Sequence, residues 1–512
     1  MLSAKHAAQP AMKEKLKYLI PFFNMRDLMA NDNDSAAALK ELFSKLPYSY
    51  KVTSSAAAIK SDYSKFEGSE VSVAGRVLAI RRSGKLIFVD LLDHTGKIQC
   101  YFDYGVVGEE VFSLVKSFNT GDIIGAKGKV FKTKPGEISI NVSELVLLSK
   151  ALHPLPSEWY GLKDTELRYR KRYLDLILNE ESRKVFIARS QTLKAIREFL
   201  DSRGFIEFET PVIQPLYGGG DAEPFKTFVN TLNEEDYLRI SDELYLKRLI
   251  IGGFDKVYEI CKDFRNEDLD SEHSPEFTMI EWYQAYADYN DMMALTEEML
   301  SSISKSITGG DEIIYQGKNI SFSPPFKRIK YVDSINEKVG KDVLALSDEE
   351  LFSLVESHNI KLEKGKRHRA HAYDRLFSVL VQPELLQPTF VIDYPRETSP
   401  LTRPKRGDPR LVERFELYIG GIEIANSYSE LNNPIIQKEN FEMEAEKSKE
   451  GDKEAEPMDL DFLEAMEYGM PPTGGLGMGI DRLVMLLTNK NSIKEVILFP
   501  MEKRAKSSKL AK

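Results

Sequence analysis

The spacing of apolar residues changes along the chain and predicts three kinds of structure. Residues 1–66 contain helical runs such as KEKLKYLI and SAAALKELFSKL, which predict an N-terminal helical extension. From Val71, β-rich runs from VSVAGRVLAI to EISINVSELVLL alternate with turns of Gly, Asp and Lys. Short strands at this spacing predict a small barrel or sandwich, and we assign it to residues 67–150.

The remainder of the chain mixes helices and strands. A Pro-punctuated connector and a long charged helix, beginning near Thr165 and including ELRYRKRYLDLIL, are predicted over residues 151–180. Residues 181–503 lack the regular alternation of a doubly wound sheet, which favours an α+β domain. The charge run at 439–456 predicts a solvated helix and loop without chemistry, and residues 504–512 predict a basic tail.

Composition and charge narrow the possible partners. The 512 residues carry a formal net charge of −10, which argues against non-specific coating of nucleic acid but allows a local basic patch. Cys100 and Cys261 are too few for a four-cysteine zinc site or a disulfide framework, and they fit a reducing compartment. No apolar run of about 18 residues predicts a membrane span, and the start lacks a secretory core. We therefore expect a cytoplasmic protein.

The first stretch with candidate chemistry is FRNEDLDSEHSPEFTMIEWYQAYADY, which begins at Phe264. If FTMIEWY is a strand, Phe277, Glu281 and Tyr283 share one face. The preceding run, KVYEICKDFRNE, would place Glu259, Cys261, Asp263 and Arg265 on one face. The two runs predict an antiparallel hairpin with a long connection. A guanidinium there suits a carboxylate or phosphate, and a flat ring suits a base. The alternative is an ordinary surface hairpin with mixed charges.

The second stretch, RFELYIGGIEIANSYSEL, predicts a tight hairpin at Gly420-Gly421. Regular pairing places Glu416 opposite Ala425 and Tyr418 opposite Glu423, so the two carboxylates become diagonal neighbours on one face. Two such oxygen ligands could hold Mg²⁺ with the phosphates of a nucleotide. The alternative is a pair of salt-bridged surface carboxylates.

Three further polar residues of this stretch, Asn426, Tyr428 and Glu430, have the parity opposite to that of Glu423. A regular strand would turn them away from it. If all of them serve one pocket, the strand must bulge or bend near Ala425-Asn426.

The third stretch, PPTGGLGMGIDRLVMLLTN, joins a glycine run to apolar residues at helical spacing. Arg482 lies in the first turn of that helix, where free N–H groups favour anions, so the segment predicts a phosphate clamp. The alternative is a glycine-rich turn into a core helix with Arg482 in a plain salt bridge. No dinucleotide or P-loop fingerprint is present, so a nucleotide would bind on an antiparallel sheet with arginines.

Together and in this order, the three stretches resemble the motifs of class II aminoacyl-tRNA synthetases, and the intervening sequence is similar to that of the lysine-specific members. VFIARSQTLKAIREFLDSRGFIEFETP, ending at Pro211, resembles motif 1, which lies at the dimer interface of the family. The similarity covers about residues 60 to 500. It includes GRVLAIRRSGKLIFVDLLDHTGKIQ, which resembles the anticodon-binding OB-fold domain.

The resemblance implies a homodimer that activates L-lysine with ATP to lysyl-adenylate and pyrophosphate, then transfers lysine to the 3′ end of tRNA(Lys). It implies catalytic roles for Arg265 and Arg482 and a Mg²⁺ site at Glu416 and Glu423. The ATP-binding residues that it implies are Arg265, Glu267, His273, Phe277, Glu416 and Arg482. The lysine-binding residues are Gly219, Glu243, Arg265, Glu281, Tyr283, Asn426, Tyr428 and Glu430. The anticodon-binding residues are Arg81, Phe88, Gln99 and Glu137.

The chemistry of the substrate agrees with these assignments. Lysine differs from apolar competitors by a distal cation, and paired carboxylates in a partly dry pocket favour it. Adenylate formation needs alignment and charge neutralisation but no protein nucleophile. Near the barrel, Lys127, Lys129, Lys132 and Lys134 could contact RNA phosphates, or could form a solvated lysine-rich turn.

Two positions depart from the family pattern. The family commonly has GGA-x-A-R-P-F, whereas GGGDAEPF here has Glu223 in place of the arginine and adds Asp221. The family often has arginine before the motif 2 histidine, and here that residue is Glu272. Both changes bring negative charge near the expected phosphates or tRNA end.

Three other functions agree less well with the sequence. A ligase that attaches lysine to a protein is disfavoured by the β-rich region 71–148, which such relatives lack. A catalytically silent RNA-binding or regulatory protein is disfavoured by the presence of Arg265, Glu416, Glu423 and Arg482. An aspartate or asparagine synthetase is disfavoured because Glu281 and Glu430 would repel an acidic substrate.

Overall fold

The computed structural model describes residues 33–153, 155–156, 164–362, 368–449 and 456–503, and the chain divides into two units, Met1–Gly161 and Leu162–Lys512. Much of the predicted N-terminal extension and the whole predicted basic tail lie outside the described residues. The finer domain boundaries at 66, 150 and 180 stay predictions. Among the described residues, no helix is long and apolar enough to cross a membrane.

The first unit is a closed five-stranded barrel with the strand order β1-β2-β3-β5-β4. Alternate strand residues such as Val73, Val89, Phe102 and Ile140 fill its interior, as the period of two requires. The strands are β1 (Glu70–Ser83), β2 (Leu86–Leu92), β3 (Lys97–Asp103), β4 (Ile123–Lys132) and β5 (Ile138–Ser149). The helices are α1 (Asn33–Ser44), α2 (Ala56–Ser61), α3 (Tyr63–Phe66) and α4 (Tyr104–Lys116). Of the two predicted alternatives, the structure has the barrel.

The second unit begins with α5 (Thr165–Arg170), α6 (Arg172–Leu178) and α7 (Glu180–Asp201). The prediction of one long helix from Thr165 is wrong because Lys171 leaves the helical conformation, with φ −118° and ψ 52°. The break accompanies burial of Arg172, whose guanidinium donates to the carbonyls of Lys494 and Leu498. A tertiary contact has overridden local helix propensity.

The centre of the second unit is a large sheet with the order β14-β15-β17-β18-β19-β11-β10-β6, and β16 pairs with β17. Its central strands are antiparallel, and only the outer pairs β6–β10 and β14–β15 are parallel. Its strands are β6 (Ile206–Glu207), β10 (Lys256–Phe264), β11 (Glu276–Ala285), β14 (Lys327–Lys330), β15 (Thr389–Pro395), β16 (Pro404–Lys405), β17 (Asp408–Ile419), β18 (Ile422–Ser429) and β19 (Thr473–Gly479). The predicted α+β class on an antiparallel sheet is confirmed.

Two smaller sheets and nine helices complete the described part of this unit. The sheets pair β12 (Glu312–Tyr315) with β13 (Lys318–Ser321), and β9 (Glu234–Leu238) with β7 (Ile213–Gln214) and β8 (Lys226–Val229). The helices are α8 (Glu243–Ile251), α9 (Tyr289–Thr308), α10 (Tyr331–Val339), α11 (Asp348–Ser357), α12 (Arg369–Leu380), α13 (Pro434–Lys449), α14 (Leu460–Glu467), α15 (Ile480–Leu487) and α16 (Ile493–Val496).

The main core lies on one face of the large sheet. Ile280 and Trp282 of β11 pack there with Met292 of α9 and Leu483 of α15. Because side chains alternate along a strand, the neighbouring residues of β11 project from the opposite face. That opposite face carries the polar residues described next.

Candidate active site

The hairpin of β10 and β11 has the predicted face. Glu259 pairs with Glu281, and Asp263 pairs with Phe277. Glu281 and Phe277 therefore share a face with Tyr283, away from the apolar core. The predicted parity and the predicted antiparallel pairing are confirmed.

The hairpin of β17 and β18 turns at Gly420-Gly421, where both residues have positive φ, 66° and 79°. Tyr418 pairs with Glu423 as predicted, but Glu416 pairs with Asn426, so the predicted pairing of Glu416 with Ala425 is wrong. The reason is a bulge: Leu417 pairs with Ala425, which leaves Ile424 without a partner in the ladder.

This bulge changes the parity of the strand. The predicted irregularity near Ala425-Asn426 is confirmed, and its extra residue precedes Ala425 directly. Residues on either side of the bulge, Glu423 before it and Asn426, Tyr428 and Glu430 after it, line one cleft. A regular strand would have divided them between two faces.

The glycine run forms strand β19 between β11 and β18, so it is not merely a turn. A Cβ on Gly477 would lie 2.9 Å from Met279 Cε, and one on Gly474 would lie 3.0 Å from the carbonyl oxygen of Asp288. Glycine leaves room for side chains of the neighbouring strands to cross this one. Helix α15 follows directly and places Arg482 in its first turn, as predicted.

A cleft of about 290 Å³ brings most of the predicted residues together. Its lining includes Gly219, Glu243, Arg265, Glu267, His273, Phe277, Glu281, Tyr283, Glu423, Asn426, Tyr428, Glu430 and Arg482. Among the residues that the resemblance assigned to ATP, lysine or metal, Glu416 alone is not part of that lining.

The most deeply buried part of the cleft holds Glu281. Ser241 Oγ donates to its Oε1 at 2.8 Å, and Tyr283 Oη donates to its Oε2 at 2.9 Å. Burial, together with the charges of Asp263 and Glu243, raises the pKa of Glu281 to about 7. The carboxylate is thus held in place but is costly to ionise without a cation.

Glu430 has a similar environment. Burial raises its pKa to about 8, while the ammonium of Lys247 opposes that rise. Sequence analysis missed Lys247, which is 1% exposed and lies 2.5 Å from carboxylate oxygens of both Glu243 and Glu430.

Behind Glu281 lies a second buried acidic group that the sequence analysis did not single out. Asp242 and Asp263 each lie 3.5 Å from the Cys261 thiol. Burial raises the pKa of Asp263 to about 6, opposed by the neighbouring Arg239 guanidinium. Burial and the charge of Glu281 also hold the pKa of Asp242 well above its usual range. Asp242 is therefore protonated more readily than an exposed carboxyl group, and its protonation limits repulsion on Glu281.

Two arginines define the other part of the cleft. The Arg265 guanidinium lies 5.2 Å from the centre of the Phe277 ring. Arg482 donates to the carbonyl oxygen of Glu423 at 2.8 Å and to His273 Nε2 at 3.2 Å. Because a guanidinium can only donate, Nε2 accepts and Nδ1 of His273 carries the hydrogen, which it donates to Asp270 at 2.9 Å.

The two carboxylates predicted to hold Mg²⁺ differ in environment. The Glu423 side chain is 37% exposed and lines the cleft. Glu416 is buried, and its oxygens accept hydrogen bonds from Arg414 at 2.5 Å, Tyr394 at 2.8 Å and Tyr418 at 2.6 Å. Burial raises its pKa, and Arg414 opposes the rise. Both carboxylates have a cationic partner, Arg414 for Glu416 and Arg482 at 3.3 Å for Glu423. Glu423 fits a further cation more directly, because it is partly exposed and lines the cleft.

Glu223 contacts the loop that carries Glu272, the other acidic departure from the family pattern. The Glu223 amide donates to Glu267 Oε1 at 3.1 Å, and its carbonyl oxygen accepts from the Asn266 amide at 2.7 Å. Glu272 is partly buried and lines the cleft.

The charge run at 439–456 is only partly solvated, so its description as solvated throughout is wrong. Phe441 and Glu444 of α13 are buried, and residues 450–455 lie outside the described part of the chain. At its end, Glu456 is buried and accepts a hydrogen bond from the Gly220 amide at 2.5 Å. This contact fixes the loop that carries Gly219.

In the first unit, three of the predicted anticodon residues, Arg81, Phe88 and Gln99, lie on the neighbouring strands β1, β2 and β3, and Glu137 directly precedes β5. Arg81 pairs with Phe88 across β1 and β2 and makes two 2.7 Å hydrogen bonds to Asp90. Gln99 accepts from Ser139 at 2.8 Å, and Glu137 lies 3.2 Å from the Lys60 ammonium.

Two aromatic residues that the sequence analysis did not assign extend this surface. The Phe88 ring lies 5.4 Å from that of Tyr101, which lies 5.4 Å from that of Phe131. The sequence could have identified them, because each is an aromatic residue at a matching position of successive strands. Of the four candidate phosphate-binding lysines, Lys127 is already paired with Glu70 and Glu144.

Comparison with known proteins adds two family matches. Residues 164–503 match the family described as tRNA synthetases class II (D, K and N). Residues 71–148 match the OB-fold nucleic acid binding domain.

Curated relatives cover nearly the whole chain. The chain is 50% identical over 462 residues to a lysine–tRNA ligase of Clostridium novyi (strain NT), covering 89% of this chain and 91% of that protein. It is 50% identical over 467 residues to a lysine–tRNA ligase of Thermotoga maritima, covering 90% and 92%. It is 49% identical over 473 residues to a lysine–tRNA ligase of Clostridium botulinum (strain Loch Maree / Type A3), covering 91% and 94%.

Proposed function

The chain belongs to the class II tRNA synthetases of the aspartate, lysine and asparagine group, and we infer that it is a lysine–tRNA ligase. It is an ATP-dependent enzyme that activates L-lysine and transfers it to tRNA(Lys). The observation that carries the choice of lysine is the convergence of three carboxylates, Glu243, Glu281 and Glu430, on one buried part of the cleft. Lys247 compensates one of these charges and the α-ammonium of any amino acid a second, so an acidic or neutral side chain would leave the third without a cation.

We assign the two ammonium groups of lysine to different carboxylates. Glu243 and the backbone of Gly219 receive the α-amino group. Glu281 and Glu430 receive the side-chain ammonium, with Tyr283, Asn426 and Tyr428 shaping the pocket around the methylene chain. The hydrogen bonds from Ser241 and Tyr283 to Glu281 support this assignment because they orient its remaining lone pairs.

The nucleotide occupies the part of the cleft with the two arginines. Phe277 stacks on adenine and Arg482 packs on the other side of the base, while Glu267 and His273 also line the ATP site. Arg265 neutralises both the lysine carboxylate and the α-phosphate. The position of Arg265 beside the Phe277 ring supports this arrangement.

Activation is a displacement at phosphorus. An oxygen of the lysine carboxylate attacks the α-phosphorus, the bond to the bridging oxygen breaks, and pyrophosphate leaves. The terminal ribose hydroxyl of tRNA then attacks the carbonyl carbon, and AMP leaves. Arg265 and Arg482 supply alignment and positive charge, so the protein needs no covalent intermediate.

We propose Mg²⁺ as the metal, held by Glu423 from the cleft wall with Glu416 as its second carboxylate. Mg²⁺ would neutralise phosphate charge when bound. The exposed carboxylate of Glu423 fits this role. Glu416 can join only if it exchanges its hydrogen bond from Arg414, so Arg414 is well placed to hold that carboxylate ionised until ATP is bound.

The barrel recognises the anticodon in this proposal. Phe88 stacks on one anticodon base, and Arg81, Gln99 and Glu137 contact base edges. OB-folds bind single strands by aromatic stacking beside polar groups, which is consistent with an RNA ligand for a protein of net charge −10.

We propose a homodimer in the cytoplasm. Support for the dimer comes from exposed apolar side chains in and after motif 1, among them Ile187, Ile206, Ile213, Phe228 and Leu232. The cytoplasm is favoured by the chemistry of the two cysteines, since both thiols are free and buried.

The decisive test is ATP–pyrophosphate exchange with a panel of amino acids, followed by charging of tRNA. We expect exchange with lysine and charging of lysine tRNA. Exchange with aspartate but not lysine would overturn the substrate. Exchange with lysine and no charging of any lysine tRNA would instead favour a ligase that modifies a protein.

A further inference from the structure

A lysine of the chain itself lies against the lysine pocket. Lys247 lies one helical turn after Glu243 on α8, and its Nζ donates to Glu243 Oε1 at 2.5 Å. The same Nζ lies 2.5 Å from Glu430 Oε2. It therefore joins two carboxylates that come from distant parts of the chain.

This ammonium is an unusual feature of a protein interior. The Lys247 side chain is 1% exposed, and the Glu243 and Glu430 side chains are 7% and 1% exposed. A buried charge is tolerated only when it has partners, and removal of one partner leaves the others uncompensated. The pairing of Lys247 with both carboxylates meets that condition without any ligand.

The charge of the pocket follows from these contacts. Glu243, Glu281 and Glu430 carry three negative charges when ionised, and Lys247 compensates one of them. The remaining two match the α-ammonium and the side-chain ammonium of one substrate lysine. Without Lys247, three carboxylates would face two cations in a poorly solvated site.

We propose that Lys247 is a positioning residue for lysine recognition, whose ammonium clamps Glu243 and Glu430 and leaves the pocket two negative charges for the two ammonium groups of the substrate. This role rests on the proposed function of the cleft. Lys247 itself is not among the residues lining the cleft, so it acts through the two carboxylates.

A neutral side chain of similar length separates this role from simple packing. Leu244, Leu246 and Ile250 on the same helix are buried among apolar residues, so a methionine at position 247 suits its surroundings. Lys247→Met removes the charge and keeps most of the volume. Because it leaves Glu243 and Glu430 without their cation, thermal unfolding must show that the variant is folded before its kinetics are compared.

The expected effect of Lys247→Met is selective. In ATP–pyrophosphate exchange, KM for lysine rises by about tenfold or more, and KM for ATP stays unchanged. Lys184→Met is the matched control because Lys184 also pairs with a glutamate four residues away on a helix, but on the surface. It should keep the kinetics of the wild type.

The pH profile gives a readout that packing alone would not move. Glu430 faces Lys247 and Glu243 of α8 and Glu281 and Tyr283 of β11. Loss of the cation raises the pKa of Glu430 further, so the acidic limb of kcat/KM for lysine moves to higher pH. Lys247→Arg, which keeps the charge, should return the limb toward its position in the wild type.

The outcomes distinguish this proposal from the proposed function. Lysine-dependent exchange by the wild type, with an unchanged lysine KM in Lys247→Met, would overturn only the role of Lys247. Equal losses toward lysine and ATP with no shift of the pH limb would reduce Lys247 to a structural residue. Absence of lysine-dependent exchange in the wild type would instead overturn the proposed function.

A double variant covers the case in which Lys247→Met does not fold. Lys247→Met/Glu430→Gln removes the cation and one of its carboxylates together, which restores charge balance. Glu430→Gln alone leaves the pocket one net negative charge for the two ammonium groups, whereas the double variant leaves two. We therefore expect the lysine KM of the double variant to be no higher than that of Glu430→Gln alone. A further loss of about tenfold in the double variant would contradict the clamp.

Discussion

A Cβ on Gly475 would lie 2.2 Å from Oε1 of Glu430, so the carboxylate occupies the space that any other residue would need at that position. Gly475 lies on β19, and Glu430 directly follows the neighbouring strand β18. The same missing Cβ would also meet the Tyr283 ring at 2.3 Å. The glycine of β19 therefore serves the lysine pocket: it allows two of the pocket's polar side chains to lie flat across the strand.

Gly475→Ala should abolish or severely reduce lysine activation, because the new methyl must displace Glu430 or Tyr283. Overpacking of a filled interior typically costs about 1–3 kcal/mol, so the variant should still fold. Lysine-dependent ATP–pyrophosphate exchange measures the loss, and thermal unfolding checks the fold. Gly310→Ala is the control, since no atom approaches its Cβ position closer than 4.0 Å. Normal lysine KM in Gly475→Ala would show that Glu430 is not required where it lies.

Glu281→Gln should raise KM for lysine by about 10- to 100-fold, as expected for loss of a charged hydrogen-bond partner. The amide keeps the size of the side chain and can still accept from Ser241 or Tyr283, so the loss reports charge. KM for ATP should not change. Unchanged kinetics toward lysine would remove Glu281 from the pocket.

Recognition of lysine should weaken as the pH falls below about 8. Burial raises the pKa of Glu281 to about 7 and that of Glu430 to about 8, and each binds an ammonium only when ionised. The acidic limb of kcat/KM for lysine should therefore lie in that interval, far above the ordinary range of a carboxylate. Glu430→Gln should remove the part of this acidic limb that lies near pH 8. A limb below pH 5 would contradict burial as the controlling factor.

The same two carboxyl groups predict a stability change in the enzyme without substrate. The pKa values of both groups in the folded state lie above 4.5, the usual value for a glutamate. The folded state therefore binds more protons than the unfolded state between pH 4.5 and about 8. Their contribution to stability is therefore greatest at low pH and is lost as the pH rises through that interval. The rise in Tm produced by lysine should be larger at pH 8.5 than at pH 6.

Local pattern predicted the parts of the site that depend on strand period and turn chemistry. The shared face of Phe277 and Glu281 follows from alternation, and the turn at Gly420-Gly421 follows from glycine's tolerance of positive φ. The bulge was predicted from a conflict of parity between Glu423 and Glu430. Which residues pair across the hairpin could not be predicted, because a bulge one residue earlier or later changes the pairing of every residue on one side of it.

Contacts between distant segments could not be predicted in this way. Lys247 follows Glu243 by four residues, a spacing that usually indicates a surface ion pair, and nothing local shows that Glu430 meets the same ammonium. Glu416 was expected to be open to Mg²⁺, but Tyr394 from another strand and Arg414 bind it. The burial of Glu456 at the end of a charge run was not predicted either, because its partner, the Gly220 amide, lies far away in the sequence.

Phe88→Ala should weaken charging of tRNA and leave lysine activation intact. Stacking of a base on an aromatic side chain typically contributes about 1–3 kcal/mol, which corresponds to a rise of about 5- to 100-fold in KM for tRNA. Tyr101→Ala should give a smaller effect in the same direction, because its ring lies 5.4 Å from that of Phe88. Tyr48→Ala, at a fully exposed ring, is the control. Equal losses in pyrophosphate exchange would show that the barrel substitution had damaged the whole enzyme.

Glu272→Arg should lower KM for ATP by about two- to fivefold. Glu272 is partly exposed and lines the cleft with Arg482 and His273, so its carboxylate repels phosphate and an arginine there would attract it. Exposed charge interactions are typically worth about 0.2–1 kcal/mol, which sets this modest range, and the gain should shrink in high salt. Glu467→Arg, an exposed charge reversal in the last turn of α14, controls for net charge. An ATP KM unchanged at low salt would show that position 272 contributes little to phosphate binding. Charging assays with the same variant would then test whether the position acts on tRNA.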